Sequence, residues 1–322
     1  MKLLRRLIIG LAIGVGVPLA IFAYGWFASG PAQKPTEFTV AEGSSVSSVA
    51  ADLHKSGLIA SVPRFKAGAR LFGGNDPVQA GEFEIPARAS ASAILDLLQH
   101  GRPIQRLITV TEGMPAIIVE ERLAANQFLT GPTPTIAEGS VLPDSYSFER
   151  GEARAKVVAR MQSAMTKTFD TLWAKRKPAC PVTSKQDVIT LASIVEKETG
   201  KPSERRAVAG VYCNRLRIGM KLDADPTVIY PITKGKPLGR RIRRSELMAD
   251  TGYNTYRSPG LPAGPIANPG RESIAAVLDP EAHKFIYFVA DGTGGHVFAE
   301  TLEQHNANVQ KWYAIRRARG EM

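Results

Sequence analysis

The chain has 322 residues, of which 44% are hydrophobic and 22% are charged, so it can form one large core or two modest ones and is not a disordered segment. Two cysteines are too few for a zinc ribbon or a disulfide scaffold. The net charge of +11 leaves nucleic acid, an anionic membrane surface and an acidic polymer open as partners.

The first element is an uncharged apolar segment from Leu7 to Ser29, preceded by Lys2, Arg5 and Arg6. A bilayer-spanning helix needs about 20 apolar residues, and the cationic end stays in the cytoplasm. The sequence therefore predicts a cytoplasmic tip at 1–6, a transmembrane anchor at 7–29 and an exported body at 30–322. A cleaved signal peptide is the alternative, although its apolar core is usually only ~7–15 residues long.

Export of the body removes nucleic acid from the possible partners. Cys180 and Cys213 could then pair in an oxidising compartment, or remain two buried thiols, and the sequence leaves both open. The cationic segment from Lys234 to Arg244 could meet anionic lipid or an acidic polymer, or be a solvated loop.

A short linker at 30–36 precedes three segments that share one pattern, a strand, a glycine turn and an amphipathic helix. TVAEG at 39–43 recurs as TVTEG at 109–113, and GEFEI at 81–85 lies between them. We predict a small α+β module at 37–104 and a larger domain at 105–322. In the larger domain, helices are predicted over 153–175, 184–199 and 203–218, then a long irregular stretch over 222–272, a buried strand at 284–290 and a last helix from Leu302.

Glu196, near the end of the predicted helix in IVEKETG, is the sharpest candidate for chemistry. At 100° per residue it lies on the flank of the apolar face, beside Ile189 and Ala192, whereas Glu198 points elsewhere. A carboxyl against an apolar flank loses solvation, which suits a general acid. An ordinary solvated or salt-bridged helix glutamate is the alternative.

A set of polar and aromatic residues follows Glu196. Tyrosine faces with amide and carboxylate edges are typical of sugar-binding clefts, because pyranose rings have apolar faces and hydroxyl rims. The alternative for each residue is a local role in a turn or a surface ion pair. The candidate substrate-binding residues are Asn214, Arg215, Asp225, Thr227, Tyr253, Asn254, Thr255 and Tyr256.

Five motifs, in this order and spacing, resemble the endolytic murein transglycosylases, the MltG or YceG-like proteins. The resemblance is close over 138–310 and loose before it. The motifs are EGSVLPDSYSF, LASIVEKETG, VYCNRL with LDADPTVIYP, YNTYRSPGLPAGPIANPG and FVADGTGGHVF.

The resemblance implies a single-pass inner-membrane protein with an N-terminal cytoplasmic tip, a LysM-like module and a periplasmic α+β catalytic domain. It implies Glu196 as the catalytic acid, peptidoglycan glycan strands as substrate and peptidoglycan synthases as partners, without metal or cofactor. The segment 37–57 is similar to the start of a LysM unit.

Lytic transglycosylation suits a lone carboxyl, because the sugar supplies its own nucleophile, the 6-hydroxyl, which closes a 1,6-anhydro ring. A muramidase-type hydrolase would need a second carboxyl, for which Asp225 is the candidate. An alternative of another class is a non-catalytic peptidoglycan-binding scaffold, in which Glu196 is structural.

Overall fold

A computed structural model describes residues 2–74 and 76–321, with the side chains of 2–13 and 15 outside the description. The chain divides into two compact units, Met1–Arg106 and Leu107–Met322. Helices and small antiparallel sheets occur in both, so the predicted mixed architecture of helices and strands is confirmed.

The N-terminal segment forms helix α1, Lys2–Phe27. No helix in the part of the chain that the structure describes combines the length and the apolar character needed to cross a bilayer. Because the side chains of 7–13 and 15 lie outside the described residues, the span predicted for 7–29 stays a prediction.

The first unit contains two of the predicted strand and helix pairs. Strand β1, Thr36–Val40, precedes α2, Val46–Lys55, and strand β2, Gly81–Ile85, precedes α4, Ala91–His100. Between them lies α3, Val62–Phe72. The two strands pair antiparallel with Phe38 opposite Phe83, which places both rings in the core of the unit.

The end of α1 belongs to that core. Trp26 is only 4% exposed and packs against Phe65 of α3. Gly68 permits this contact, because a Cβ atom there would lie 2.1 Å from the indole ring. Residues of the predicted linker are hydrogen-bonded as well, since the Gly30 N–H donates to the Arg88 carbonyl at 3.1 Å.

The second unit begins with the third strand and helix pair. Strand β3, Arg106–Val110, leads into α5, Ala116–Ala125, and pairs with β4, Asp144–Phe148. The long helix α6, Arg154–Trp173, covers this layer with a buried apolar face that includes Met161. The sequence predicted α6 over 153–175, within two residues of each end.

Three packed helices form the main core of the second unit. Helix α7, Lys185–Glu198, starts with the capping box of Ser184 and Asp187, as predicted. It is buried on all sides from residue 188 to residue 195 and packs against α8, Arg205–Arg217, and α11, Arg271–Leu278. A short 3₁₀ turn, Pro202–Glu204, separates α7 from α8.

The stretch predicted as irregular, 222–272, contains two helices. Helix α9 spans Asp225–Thr233 and α10 spans Arg244–Leu247. The prediction was wrong for α9 because a proline-rich sequence is typical of a loop, whereas Pro226 occupies the first turn of this helix, where its missing N–H costs nothing.

The C-terminal part adds a hairpin and a last helix. Strands β5, Tyr287–Ala290, and β6, His296–Ala299, pair antiparallel, and α12 spans Leu302–Ala318. Strand β5 is half-buried and shorter than the buried strand predicted at 284–290. Cys180 and Cys213 form a disulfide, so the question that the sequence left open is answered in favour of pairing.

Candidate active site

Glu196 lies in the last turn of α7 with only 5% of its side chain exposed. A carboxylate at this end of a helix faces the negative end of the helix dipole. Two donors from other segments offset this: the Gly270 N–H donates to Oε2 at 2.9 Å, and Arg205 Nη2 lies 3.4 Å from Oε1. Glu196 is therefore withdrawn from solvent, and its neighbours are polar as well as apolar.

Glu112 is a second carboxylate at this site, and the sequence analysis did not single it out. Its Oε2 accepts from the same Arg205 Nη2 at 2.7 Å. The side chain lies against Gly270, where a Cβ atom would come within 2.2 Å of Glu112 Oε1. Glu112 is 45% exposed and Arg205 only 10%, so one buried guanidinium lies between a buried and a half-exposed acid.

The loop between β3 and α5 carries Glu112 to the end of α7. Gly113 has a φ of +70°, which favours glycine, and its Cα faces Glu196 so closely that a Cβ atom would lie 3.4 Å from Glu196 Cγ. Two contacts fix the loop: the Gly113 N–H donates to the Asn268 carbonyl at 3.0 Å, and Lys197 Nζ donates to the Gly113 carbonyl at 3.4 Å.

Glu138, from the motif EGSVLPDSYSF, lies at the start of α5. Its Oε1 accepts from the Ala116 N–H at 2.9 Å, and Tyr230 also donates to it. Burial raises the pKa of Glu138 to about 7 despite these donors. The ring of Tyr230 packs against Tyr253, with ring centres 4.9 Å apart.

Glu198 faces different neighbours from Glu196, as the helical period predicts. It accepts from the hydroxyl of Tyr212 and lies near Asp225 and Arg215. Burial, and next the charge of Asp225, raise the pKa of Glu198 to about 7. The two glutamates therefore do not form a pair.

Of the predicted substrate-binding residues, five come together around the start of α9. The Tyr256 hydroxyl donates to Asp225 at 2.7 Å, and the buried hydroxyls of Thr227 and Thr255 lie 2.9 Å apart. The amide of Asn254 donates to the carbonyls of Leu247 and Ala249 and holds the loop between α10 and Tyr256.

The remaining three make other contacts. Asn214 donates to the carbonyls of His283 and Phe285, both at 2.9 Å, and Arg215 donates to those of Ile286 and Leu222. Tyr253 lies with Tyr230 and Glu138. Structural contacts thus already use the polar atoms of Asn214 and Arg215, and a role of any of the eight in substrate binding stays a prediction.

Comparison with known proteins gives concordant results. The model of the YceG-like family matches residues 38–311. The endolytic murein transglycosylase of Bacillus subtilis is 30% identical over 331 residues, covering 90% of this chain and 89% of that protein. The enzyme of the same name from Streptococcus pneumoniae is 27% identical over 84% of this chain, which spans 57% of that longer protein.

A crystal structure of a yceG-like protein from Listeria monocytogenes matches 85% of this chain and 98% of its own. The TM-score is 0.54 at 24% sequence identity. This similarity concerns the fold alone.

Proposed function

The chain belongs to the YceG-like family, and from this we infer that it is an endolytic lytic transglycosylase acting on the glycan strands of peptidoglycan. Its relatives in Bacillus subtilis and Streptococcus pneumoniae are named endolytic murein transglycosylases. Such an enzyme cuts a glycosidic bond within a strand. The anomeric carbon then bonds to a hydroxyl oxygen of the same sugar instead of to water.

The reaction proceeds through one carboxyl group that acts twice. Protonated Glu196 gives its proton to the oxygen that leaves the anomeric carbon of N-acetylmuramic acid, and the glycosidic bond breaks. The resulting carboxylate takes the proton of the 6-hydroxyl of that sugar, whose oxygen bonds to the anomeric carbon. The new end is a 1,6-anhydro sugar, and Glu196 is protonated again.

One observation carries this assignment to Glu196: a carboxyl with 5% exposure, held between a backbone N–H and a guanidinium, at the end of the helix that carries the family motif. Withdrawal from bulk water limits competing hydrolysis, and fixed donors hold the group in one orientation. Both properties fit a proton shuttle.

The test is the product chemistry of the full chain on uncrosslinked glycan. We expect strand ends that are lighter by one water than hydrolytic ends, and we expect Glu196→Gln to abolish them while the variant keeps the wild-type melting temperature. The matched control is Glu121→Gln, an exposed glutamate of the same unit paired with Lys236, which should keep full activity.

Either of two results would contradict the proposal. Full activity in Glu196→Gln would show that Glu196 does not transfer the proton. Ends of hydrolytic mass would indicate a muramidase-type reaction, for which Glu112, rather than Asp225, provides the second carboxyl beside Glu196.

We propose the membrane anchor, the location and the role of the small module from the sequence and from one disulfide bond. Residues 7–29 anchor the chain in the inner membrane, the body lies in the periplasm near peptidoglycan synthases, and the module at 37–104 is LysM-like and binds glycan. The disulfide between Cys180 and Cys213 supports export, because such bonds persist in oxidising compartments. Digestion of residues 30–322 by a protease added to spheroplasts, with a cytoplasmic protein as the protected control, would test the location.

A further inference from the structure

Arg205 lies between two acidic side chains, and its closer partner is Glu112. Nη2 is 2.7 Å from Glu112 Oε2 and 3.4 Å from Glu196 Oε1. The guanidinium is 10% exposed, so solvent and salt screen these interactions only weakly. The interaction of Arg205 with each of the two carboxylates therefore depends on the residues of the site.

The proposed reaction depends on the charges that lie beside the Glu196 carboxyl. Glu196 gives its proton away in the first step and takes one back in the second, with Arg205 and the Gly270 N–H beside its carboxyl in both. A second negative charge next to Arg205 engages the guanidinium and repels a negative charge on Glu196. Glu112 occupies this position.

We propose that Glu112 is a positioning residue of the transglycosylation: it takes the shorter contact of Arg205 Nη2, 2.7 Å against 3.4 Å, and so keeps the guanidinium shared between the two acids instead of paired with Glu196 alone. This inference rests on the proposed function. After the proton has passed to the leaving oxygen, Arg205 lies within reach of the new Glu196 carboxylate and stabilises it until the 6-hydroxyl returns a proton.

Besides Glu196, Glu112 is the acid that contacts Arg205 among the described residues. The loop that carries it is fixed by Gly113, and Gly270 provides the space for its side chain. Lys197 points from α7 to the Gly113 carbonyl, and Arg271 and Glu272 at the start of α11 face each other, both more than half exposed. Among the described residues, Arg205 is thus the cation in contact with the Glu196 carboxylate, and Glu112 is the second acid on that cation.

The experiment is the pH dependence of kcat for anhydro-end formation by the full chain. In Glu112→Gln the basic limb of the profile should move down by about one pH unit, so that activity at neutral pH falls about tenfold while activity below pH 5 stays close to wild type. Glu112→Asp keeps the charge and should keep the limb in place. The control Glu121→Gln should match wild type throughout.

A second variant keeps the test decisive if Glu112→Gln does not fold. Arg205→Gln removes the cation and should move the basic limb in the opposite direction, to higher pH. A loss of activity that is equal at every pH in either variant would show a structural role only and overturn the inference, as would an unchanged profile. Wild-type protein that forms no anhydro ends would instead overturn the proposed function itself.

Discussion

Glu198 is a buried acid for which the proposed reaction has no step. Its neighbours are the Tyr212 hydroxyl, Arg215 and Asp225, and its pKa is raised to about 7. Because the folded chain holds this proton more tightly than the unfolded chain does, Glu198 contributes to stability at low pH. That contribution is lost as the pH rises through the folded value.

We expect the free energy of unfolding to fall between about pH 4.5 and pH 7, with Glu198 contributing about 3 kcal/mol of the change. Glu198→Gln resembles the protonated form, so it should leave stability at pH 4.5 almost unchanged and raise it at pH 8. Urea unfolding over this range measures the effect.

The control is again Glu121→Gln, which removes one exposed carboxylate of the same unit and so shows how much of the change comes from the loss of a charge alone. A wild-type slope in Glu198→Gln would show that this carboxyl binds its proton equally in the folded and the unfolded chain, which would contradict the prediction. Glu138, whose pKa is also raised to about 7, should still contribute to the slope in the variant.

The candidate site could be predicted from the sequence only in part. The helical period separates Glu196 from Glu198 and puts Glu196 on the flank of the apolar face, and the resemblance to the family implies it as the acid. Arg205 and Glu112 could not be found this way, because their contact joins positions 93 residues apart. The repeat of TVAEG as TVTEG did mark Glu112, but as part of a turn.

At the scale of elements, the disulfide joins the segment after α6 to the middle of α8. It closes a loop between positions 33 residues apart and so limits the freedom of the unfolded chain. Cys213 follows Tyr212 directly and is two residues from Arg215, both of which contact the surroundings of Glu198. The bond therefore stabilises the helix that also carries Arg205.

We expect the double variant Cys180→Ala with Cys213→Ala to lose about 3–4 kcal/mol of unfolding free energy, measured by urea unfolding without reductant. Wild-type protein treated with a phosphine reductant should lose a similar amount, whereas the double variant should not respond to reductant. Equal stability of oxidised wild type and double variant would contradict the prediction.

Elements with strong local signals were predicted well. The capping box at Ser184, the glycine turns and the amphipathic faces located α7 and the three strand and helix pairs to within a few residues. Helix α9 was missed because its composition, with Pro226 and Pro231, resembles a loop. It forms because tertiary packing buries Thr227 and Val228, which local sequence does not report.

At the scale of the whole molecule, the chain divides into two units, and the end of α1 packs in the core of the first. The contact of Trp26 with α3 depends on Gly68, which leaves room for the indole ring. No pattern in the sequence predicted it, because an aromatic residue at the end of an apolar segment is equally typical of a membrane interface.

Gly68→Val should therefore displace Trp26 and destabilise the first unit by about 1–3 kcal/mol. Fluorescence of Trp26, with Trp173 and Trp312 replaced by phenylalanine, should shift to longer wavelength and become accessible to iodide. Ala67→Val, one position earlier on the exposed side of α3, is the matched control and should behave like wild type. A buried Trp26 in Gly68→Val would contradict the prediction.

The packing of Trp26 also bears on how the chain matures. A leader peptidase that cut after Ser29 would take this side chain away with the discarded peptide, leaving a hole the size of an indole in the finished protein. Removal of the helix at that point is therefore expected to destabilise the N-terminal unit.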